Sequence, residues 1–334
     1  MAVERLIAID LSAPQGYPGE MNGLPPFDPA DLVRYAPDAH WCLTGEDGEA
    51  AGRCSLWWRH TPSLPGQRVG LIGHYAARDA MAAGRLLSHA CAQLTARGST
   101  LAVGPIDGST WRRYRLIVER GRAPIFFLEP DHPDDWPGHF RDTGFAPLAY
   151  YRSAINTDLS CCDARIPEIA RRLAVRDVRI RTLDPRAFED ELRRIYAISA
   201  SSFRDNLLYT PLGETEFIAQ YRSLRPHVRP ELILIAERRD APIGFIFAVP
   251  DLLQARRGEP TDTVIIKTIA VLPEHSGDGL GGLLMARCQE TARELGYTRA
   301  IHALMHEGNR SGRISGHYAR TLRRYALFAR TLTA

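Results

Sequence analysis

The stretch TVIIKTIAVLPEHSGDGLGGLLMARCQETARELG, residues 263–296, limits the possible folds of this chain more than any other. A β-branched apolar run the length of one strand stops at Pro273. Glycines follow at 277, 279, 281 and 282, and then apolar residues recur at helical spacing until Gly296. Strand, glycine loop, helix is an arrangement that brings unpaired backbone N–H groups and the positive end of a helix dipole to one point, where an anion is favoured. Glycine lets the chain turn there without a Cβ between backbone and ligand.

Two phosphate-loop readings are weak. A P-loop needs Lys-Ser or Lys-Thr to close it, and none is present here. Gly277, Gly279 and Gly282 satisfy the dinucleotide spacing, with Glu307 further on as the acidic partner. That fingerprint begins a parallel βαβαβ sheet, whereas this loop follows an antiparallel hairpin (ELILIAERRDAPIGFIFAVPD, 231–251, turning at Arg239-Asp240), and little chain remains after Glu307.

The first half has the same order of elements. HWCLTGEDGEAAGRCSLWWRH (40–60) is a predicted hairpin turning at Glu46-Asp47-Gly48, RVGLIGHYAA (68–77) a strand, and DAMAAGRLLSHACAQLTARG (79–98) a helix. STLAVGPI and APIFFLEP (123–130) are predicted strands, DDWPGHFRDTGF a short helix and APLAYYRSAI (146–155) a closing strand. In the second half, helices are predicted over 188–203 and 213–224, the hairpin and glycine-loop unit follow, and YTRAIHALM (297–305) closes. Hairpin, strand, helix, strand in one order twice points to an internal duplication. The organisation expected is an irregular Pro- and Gly-rich lead-in (1–30), a first domain (31–155), a linker (156–177) and a second domain (178–334). The fold class is α/β (α+β): two tandem domains, each a mixed, mostly antiparallel twisted sheet flanked by helices.

With 334 residues, 45% of them hydrophobic, the chain can build two cores. A net charge of +3 gives no argument for nucleic acid, and arginine's large excess over lysine fits a compositional bias better than a binding patch. No apolar run is long enough to span a membrane, and the N-terminus lacks the apolar core of a secretion signal, so the expectation is a cytoplasmic protein with no membrane partner. The six cysteines match neither zinc nor disulfide spacing, and Cys161-Cys162 is read as a pair of free thiols. No metal site is expected.

IAVLPEHSGDGLGGLLMARCQETARELGY resembles the central motif of the GNAT (N-acetyltransferase) superfamily: a strand, then [QR]-x-x-G-x-[GA], then a helix. Here the six positions are Ser276, Gly277, Asp278, Gly279, Leu280 and Gly281, with Ser276 replacing the usual Gln or Arg. The hairpin before the strand and Asn309 after the next one also match. The resemblance covers roughly 178–330; the first half shares the order of elements only. Its loop ARDAMAAG lacks the alternating glycines, so the first domain is expected to be a non-catalytic partner.

The resemblance implies acyl transfer from acetyl-CoA or another acyl-CoA to an amine by direct attack in a ternary complex. It further implies that the strand bulges, with the amides of Ile269, Ala270 and Val271 on the thioester carbonyl and pantetheine arm. Gly277, Gly279, Leu280, Gly281 and Gly282 would bind the phosphates. Acyl transfer also needs a base and a proton for the leaving thiolate. Glu307, His306 and His302 are the candidate bases. Tyr318 is the acid the resemblance suggests, with Tyr325 its alternative. RTLRRYALFAR (320–330) is either a contact for an acidic group or the polar face of a closing element. Trp57, Trp58, Phe126 and Phe127 offer apolar surface, read first as core. The acceptor is an amine-bearing small molecule or peptide. Donors of longer chain, an acyl carrier protein, and a non-catalytic acyl-CoA-binding module stay open as alternatives.

Overall fold

The computed structural model describes residues 5–12, 23–45, 49–161, 163–222 and 224–333. The predicted turn at 46–48 and Cys162 lie outside them. A strand β1 (Arg5–Ala8) and a helix α1 (Ala30–Tyr35) come first. Then follow β2 (Ala39–Thr44), β3 (Ala50–Trp57), β4 (Val69–Ala77), α2 (Ala80–Ala96), β5 (Leu101–Gly104), β6 (Leu116–Glu119), α3 (Trp136–Asp142) and β7 (Ala146–Asn156). Helix α4 (Ile166–Val175) leads into the second half. That half comprises β8 (Val178–Thr182), α5 (Phe188–Ser202), α6 (Glu214–Arg222), β9 (Ile233–Arg238), β10 (Ala241–Pro250), α7 (Leu252–Arg256), β11 (Thr263–Val271), α8 (Leu280–Glu294), β12 (Arg299–His306), α9 (Arg310–Ser315) and β13 (Arg320–Thr331).

One sheet runs through both halves in the order β1-β2-β3-β4-β5-β13-β7-β12-β11-β10-β9-β8, with β6 beside β13. Each half therefore places its last long strand in the other: β13 pairs with β5, and β7 with β12. The two exchanged strands pair with each other from Arg320↔Ile155 to Ala329↔Ala146. This leaves no open sheet edge at the junction, so the halves share a backbone ladder as well as side-chain contacts. Helix α2 buries Leu86, Leu87 and Leu94 on the first half of the sheet, and α8 buries Leu283, Leu284 and Cys288 on the second, each at the spacing of one helical face.

Four segments differ from the sequence expectation. The lead-in, expected to be irregular, carries β1, whose main chain pairs antiparallel with β2 from Arg5↔Thr44 to Ala8↔Trp41. Residues 123–130 form a loop, and the strand lies earlier, at β6. Pro124 and Pro130 cannot donate to a ladder, and the apolar run is satisfied instead by burying Phe126 against the second half. Where a plain connector was expected, α4 packs Ile166 and Leu173 onto the α8 core. The basic stretch 320–330 is the central strand β13, with the Arg323 side chain wholly buried against Glu129. Among the described residues no helix is long and apolar enough to cross a membrane, and no cluster of metal-ligand type occurs.

Candidate functional site

Strands β11 and β12 pair in parallel only from Thr263↔Arg299 to Ile266↔His302 and then diverge. At the point of divergence β11 bulges: its pairing with β10 jumps from Ala248↔Ile266 to Phe247↔Thr268, leaving Lys267 as the extra residue. The bulge therefore sits upstream of Ile269, Ala270 and Val271, where it was expected. Those three pair regularly with Ile246, Phe245 and Gly244. Amides alternate in direction along such a ladder, so every second one points into the gap left by β12.

Beyond Val271 the chain enters the glycine loop, and a Cβ on Gly281 would stand 3.8 Å from Ile269 and 3.9 Å from Val271. Gly277 (φ 101°) and Gly279 (φ 85°) lie in the left-handed region, and Gly279 caps α8 without a side-chain hydrogen bond. The first main-chain bond of the helix is Leu283 N–H to Gly279 O, so the amides of Gly277, Gly279, Leu280, Gly281 and Gly282 find no main-chain acceptor among the described residues. Helix α4 lies across this loop, with Ile169 2.9 Å from where a Cβ on Gly279 would stand. Arg172 donates to the Asp278 carbonyl at 2.8 Å, and Arg176 pairs with the Asp278 carboxylate at 3.0 Å. The negative charge that stands among the glycines is thus offset, and Ser276 is exposed beside it. Free amides, a helix N-terminus and two guanidinium groups fit a pyrophosphate.

A cavity of about 920 Å³ opens between the halves, and residues 266–269 of β11 and 302–306 of β12 form part of its wall. The first half contributes Trp111, Arg115 and Glu129, and the second Tyr221 and Phe247. Trp57 and Phe126 are core residues. The Arg115 guanidinium lies 3.9 Å from the Tyr114 ring centroid and 4.3 Å from that of Tyr151, and it donates to the Leu304 carbonyl at 3.1 Å. Glu129 accepts from Arg323 and from the Tyr325 hydroxyl, which contacts Ser153 Oγ at 3.0 Å; that oxygen in turn accepts the Leu304 N–H at 3.1 Å. Burial raises the Glu129 carboxyl pKa in spite of these partners. Tyr325 is therefore tied into a buried network.

The other expected proton carriers are scattered. His302 is buried with Nδ1 2.8 Å from Ser315 Oγ, its Nε2 has no partner among the described residues, and burial lowers its pKa to about 4. His306 lines the cavity, accepts the Gly308 N–H at 3.0 Å, and is lowered by burial. Glu307 is exposed and held by Arg324 at 2.7 Å, outside the cavity. Tyr318 packs on the α8 core with its ring 6.5 Å from that of His302, also away from the cavity wall. Asn309 stands at the rim, with Nδ2 3.4 Å from Asn206 Oδ1. The structure thus gathers His302, His306, Asn309 and Ile269 in one place and leaves Glu307 and Tyr318 out of it.

Sequence reading missed Arg115, Glu129 and Lys267. The first two reach the site only through the exchange of strands. Lys267 carried a signal, since it is the one lysine of the chain. Burial, with Arg115 adding, lowers its pKa to about 8, while Glu129 opposes the shift.

Residues 191–312 match the acetyltransferase (GNAT) family model. A bacterial ceramide synthase of Caulobacter vibrioides is 27% identical over 241 residues, 69% of this chain and 59% of that protein. Protein YghO of Escherichia coli is 24% identical over 217 residues, 62% and 54% of the two chains. The chain thus spans between half and three-fifths of these curated relatives. Among solved structures, the glucosamine N-acetyltransferase region of a fungal multi-domain β-N-acetylglucosaminidase aligns over 99% of this chain and 38% of its own, with a TM-score of 0.56 and 13% identity. A GCN5-related N-acetyltransferase from Anabaena variabilis aligns over 98% and 73%, with a TM-score of 0.52 and 11% identity. At such identities the likeness is one of fold. The family match falls on the segment that carries the glycine loop and the diverging strands.

Proposed function

We propose that the protein transfers an acyl group from a thioester to an amine by direct attack in one complex of enzyme, donor and acceptor. One observation carries this reading: the diverging strands β11 and β12 form a wall of the cavity between the halves, and β11 runs on past α8, where Ile269 lies 3.8 Å from the place of a Cβ on Gly281. A thioester lying in the gap would have its phosphates at the α8 N-terminus and its carbonyl among β11 amides, where the developing oxyanion is stabilised. The acceptor, an amine-bearing small molecule or peptide, would enter from the cavity.

Acetyl-CoA is the default donor. The cavity, near the upper end of the roughly 300–1,000 Å³ usual for ligand sites, with Trp111, Phe203, Tyr221 and Phe247 in its wall, favours a longer acyl chain on CoA or on an acyl carrier protein. Similarity to a protein named a ceramide synthase points the same way. Native mass spectrometry with acetyl-CoA, palmitoyl-CoA, CoA and NADH, followed by thiol-release assays over a panel of amines, tests both readings. We expect one CoA-type ligand per chain, no NADH, and amine-dependent thiol release. Ligand binding without thiol release from any amine would leave a binding module. No CoA-type adduct would remove the thioester reading, unless a carrier-protein donor restored turnover.

A further inference from the structure

Of 42 basic side chains, 41 are arginine and one, Lys267, is lysine. Arginine supplies a positive charge, a long apolar stem and hydrogen-bond donors at all the other positions. What it cannot supply is a neutral amine, because a guanidinium stays protonated throughout the pH range of folded proteins. The single exception to the bias is not on the surface. It is the extra residue of the β11 bulge, half-buried in the cavity wall, at the point where β11 and β12 part.

The titratable and charged groups sharing that cavity wall are Arg112, Arg113, Tyr114, Arg115, Glu129 and Asp131 from the first half, Tyr151 of β7, Tyr209, Tyr221 of α6, and His302 and His306 of β12. Most are committed. Arg115 is sandwiched between Tyr114 and Tyr151, Glu129 holds Arg323 and Tyr325, and His302 binds Ser315. No hydrogen bond or ion pair among the described residues engages the Lys267 ammonium. Arg115 opposes a charge on the amine, and the Glu129 carboxylate that would favour it is already shared by Arg323 and Tyr325, so protonation of the amine is disfavoured there.

We propose that Lys267, as the neutral amine, takes the proton from the acceptor's ammonium group and so frees the nucleophile, a role that rests on the acyl-transfer reading. The acceptor ammonium gives its first proton to Lys267 Nζ. The freed amine forms the C–N bond, the C–S bond breaks, and the nitrogen's second proton goes to the departing thiolate. Lys267 then returns its proton to water. The products are an amide, a free thiol and one proton, which balances the ammonium and thioester consumed. Burial, aided by Arg115, brings the Lys267 pKa near enough to neutrality for this exchange.

The test has an arm that needs no substrate. Acetic anhydride in trace amounts labels neutral amines, and arginine-specific cleavage isolates Lys267 within residues 258–287. A labelling midpoint near pH 8 is expected, and a midpoint near the ordinary value of about 10.4 would overturn the proposal. In the second arm, Lys267→Arg and Lys267→Met should both lower kcat by about 10²–10⁴-fold with donor KM unchanged. The loss should shrink as pH rises and the acceptor deprotonates unaided. A Lys267→Arg variant with wild-type kcat would make the residue a charge anchor, and an inactivating acyl adduct on Nζ would make it a nucleophile; either result overturns the role. If wild-type protein acylates no amine, the acyl-transfer reading fails and the proton-transfer role falls with it, although labelling still reports the state of the amine.

Discussion

Helix α2 opens at Asp79, whose carboxylate accepts the Ala82 N–H at 2.8 Å, whereas α8 opens at Gly279 with no side-chain cap. The first half thus fills its helix-terminal anion site with its own carboxylate, and the second leaves the site to a ligand. The diverging strands repeat the contrast. β4 and β5 pair only from Val69↔Leu101 to Leu71↔Val103, and the space beyond is taken by the chain itself. Ile106 donates to the Ile72 carbonyl at 2.8 Å, Asp107 accepts the His74 N–H at 2.6 Å, and a Cβ on Gly73 would stand 2.2 Å from the Ile106 carbonyl oxygen. The β4 bulge, between Gly73 and Ala76, holds His74 against Ser55, while the corresponding bulge of β11 presents Lys267 to an open cavity. One architecture is closed by its own residues in one copy and left open in the other. A duplicated fold can therefore lose a site by filling it, without losing the elements that built it.

The largest expected effect falls on what ties the copies together. Arg323 and Glu129 are wholly buried and join β13 of the second half to a loop of the first. Arg323→Ala leaves the carboxylate without its ion partner in a dry site, which should cost about 3–5 kcal/mol of unfolding free energy in urea melts. A loss below about 1 kcal/mol would mean that the shared ladder alone joins the halves.

Acid should sharpen the comparison next. Burial lowers the pKa of His40 and His74 in the first half to about 3 and that of His302 in the second to about 4. Unfolded histidine takes up its proton near about 6.5. The unfolded state thus binds more protons as pH falls below that value, and stability is lost from there down to the folded pKa values, at about 1.4 kcal/mol per pH unit for each residue. His302→Gln should flatten the stability–pH slope by one such contribution between pH 6.5 and 5, and the double replacement of His40 and His74 by two. Equal slopes in all three proteins would show that these rings are not buried neutral.

The two helix caps make a paired prediction. Gly279→Val forces a β-branched residue to φ 85° and places its Cβ 2.9 Å from Ile169, which should displace the loop. Each hydrogen bond lost to a charged group costs about 1.5–3 kcal/mol, so acyl-CoA affinity should fall at least roughly tenfold by calorimetry. Asp79→Ala should cost about 1 kcal/mol of stability and leave that affinity unchanged. Unaltered binding by the Gly279 variant would move the phosphate site away from α8.

What the sequence made legible was what neighbouring residues determine. Gly279 and Gly296 bracket α8, and Arg239-Asp240 turns the hairpin with φ of 50° and 63° at the two residues. β13 was opaque because consecutive arginines interrupt its alternation, and its ladder partners stand in the other half of the chain. Arg115 and Glu129 were invisible for the same reason: no local pattern announces a side chain whose neighbours arrive from a strand two hundred residues away. The glycine loop showed where a phosphate would sit, but the cavity that gives the loop a use comes from the exchange of strands.

The smallest effect separates two proton carriers. Glu307, an expected base, is exposed and held by Arg324, which also reaches Glu119 at 3.2 Å. An exposed pair of this kind is worth about 0–1 kcal/mol, so Glu307→Gln should barely shift the urea midpoint. If the base acts from inside the cavity, turnover by this variant should also stay within about twofold of wild type, since changes outside the reacting groups leave the proton path intact. A drop of a hundredfold in kcat with donor binding retained would place the base at the end of β12. Lys267 would then be left with the charge of its ammonium as its only contribution, and the contrast between the two bulges would be one of shape.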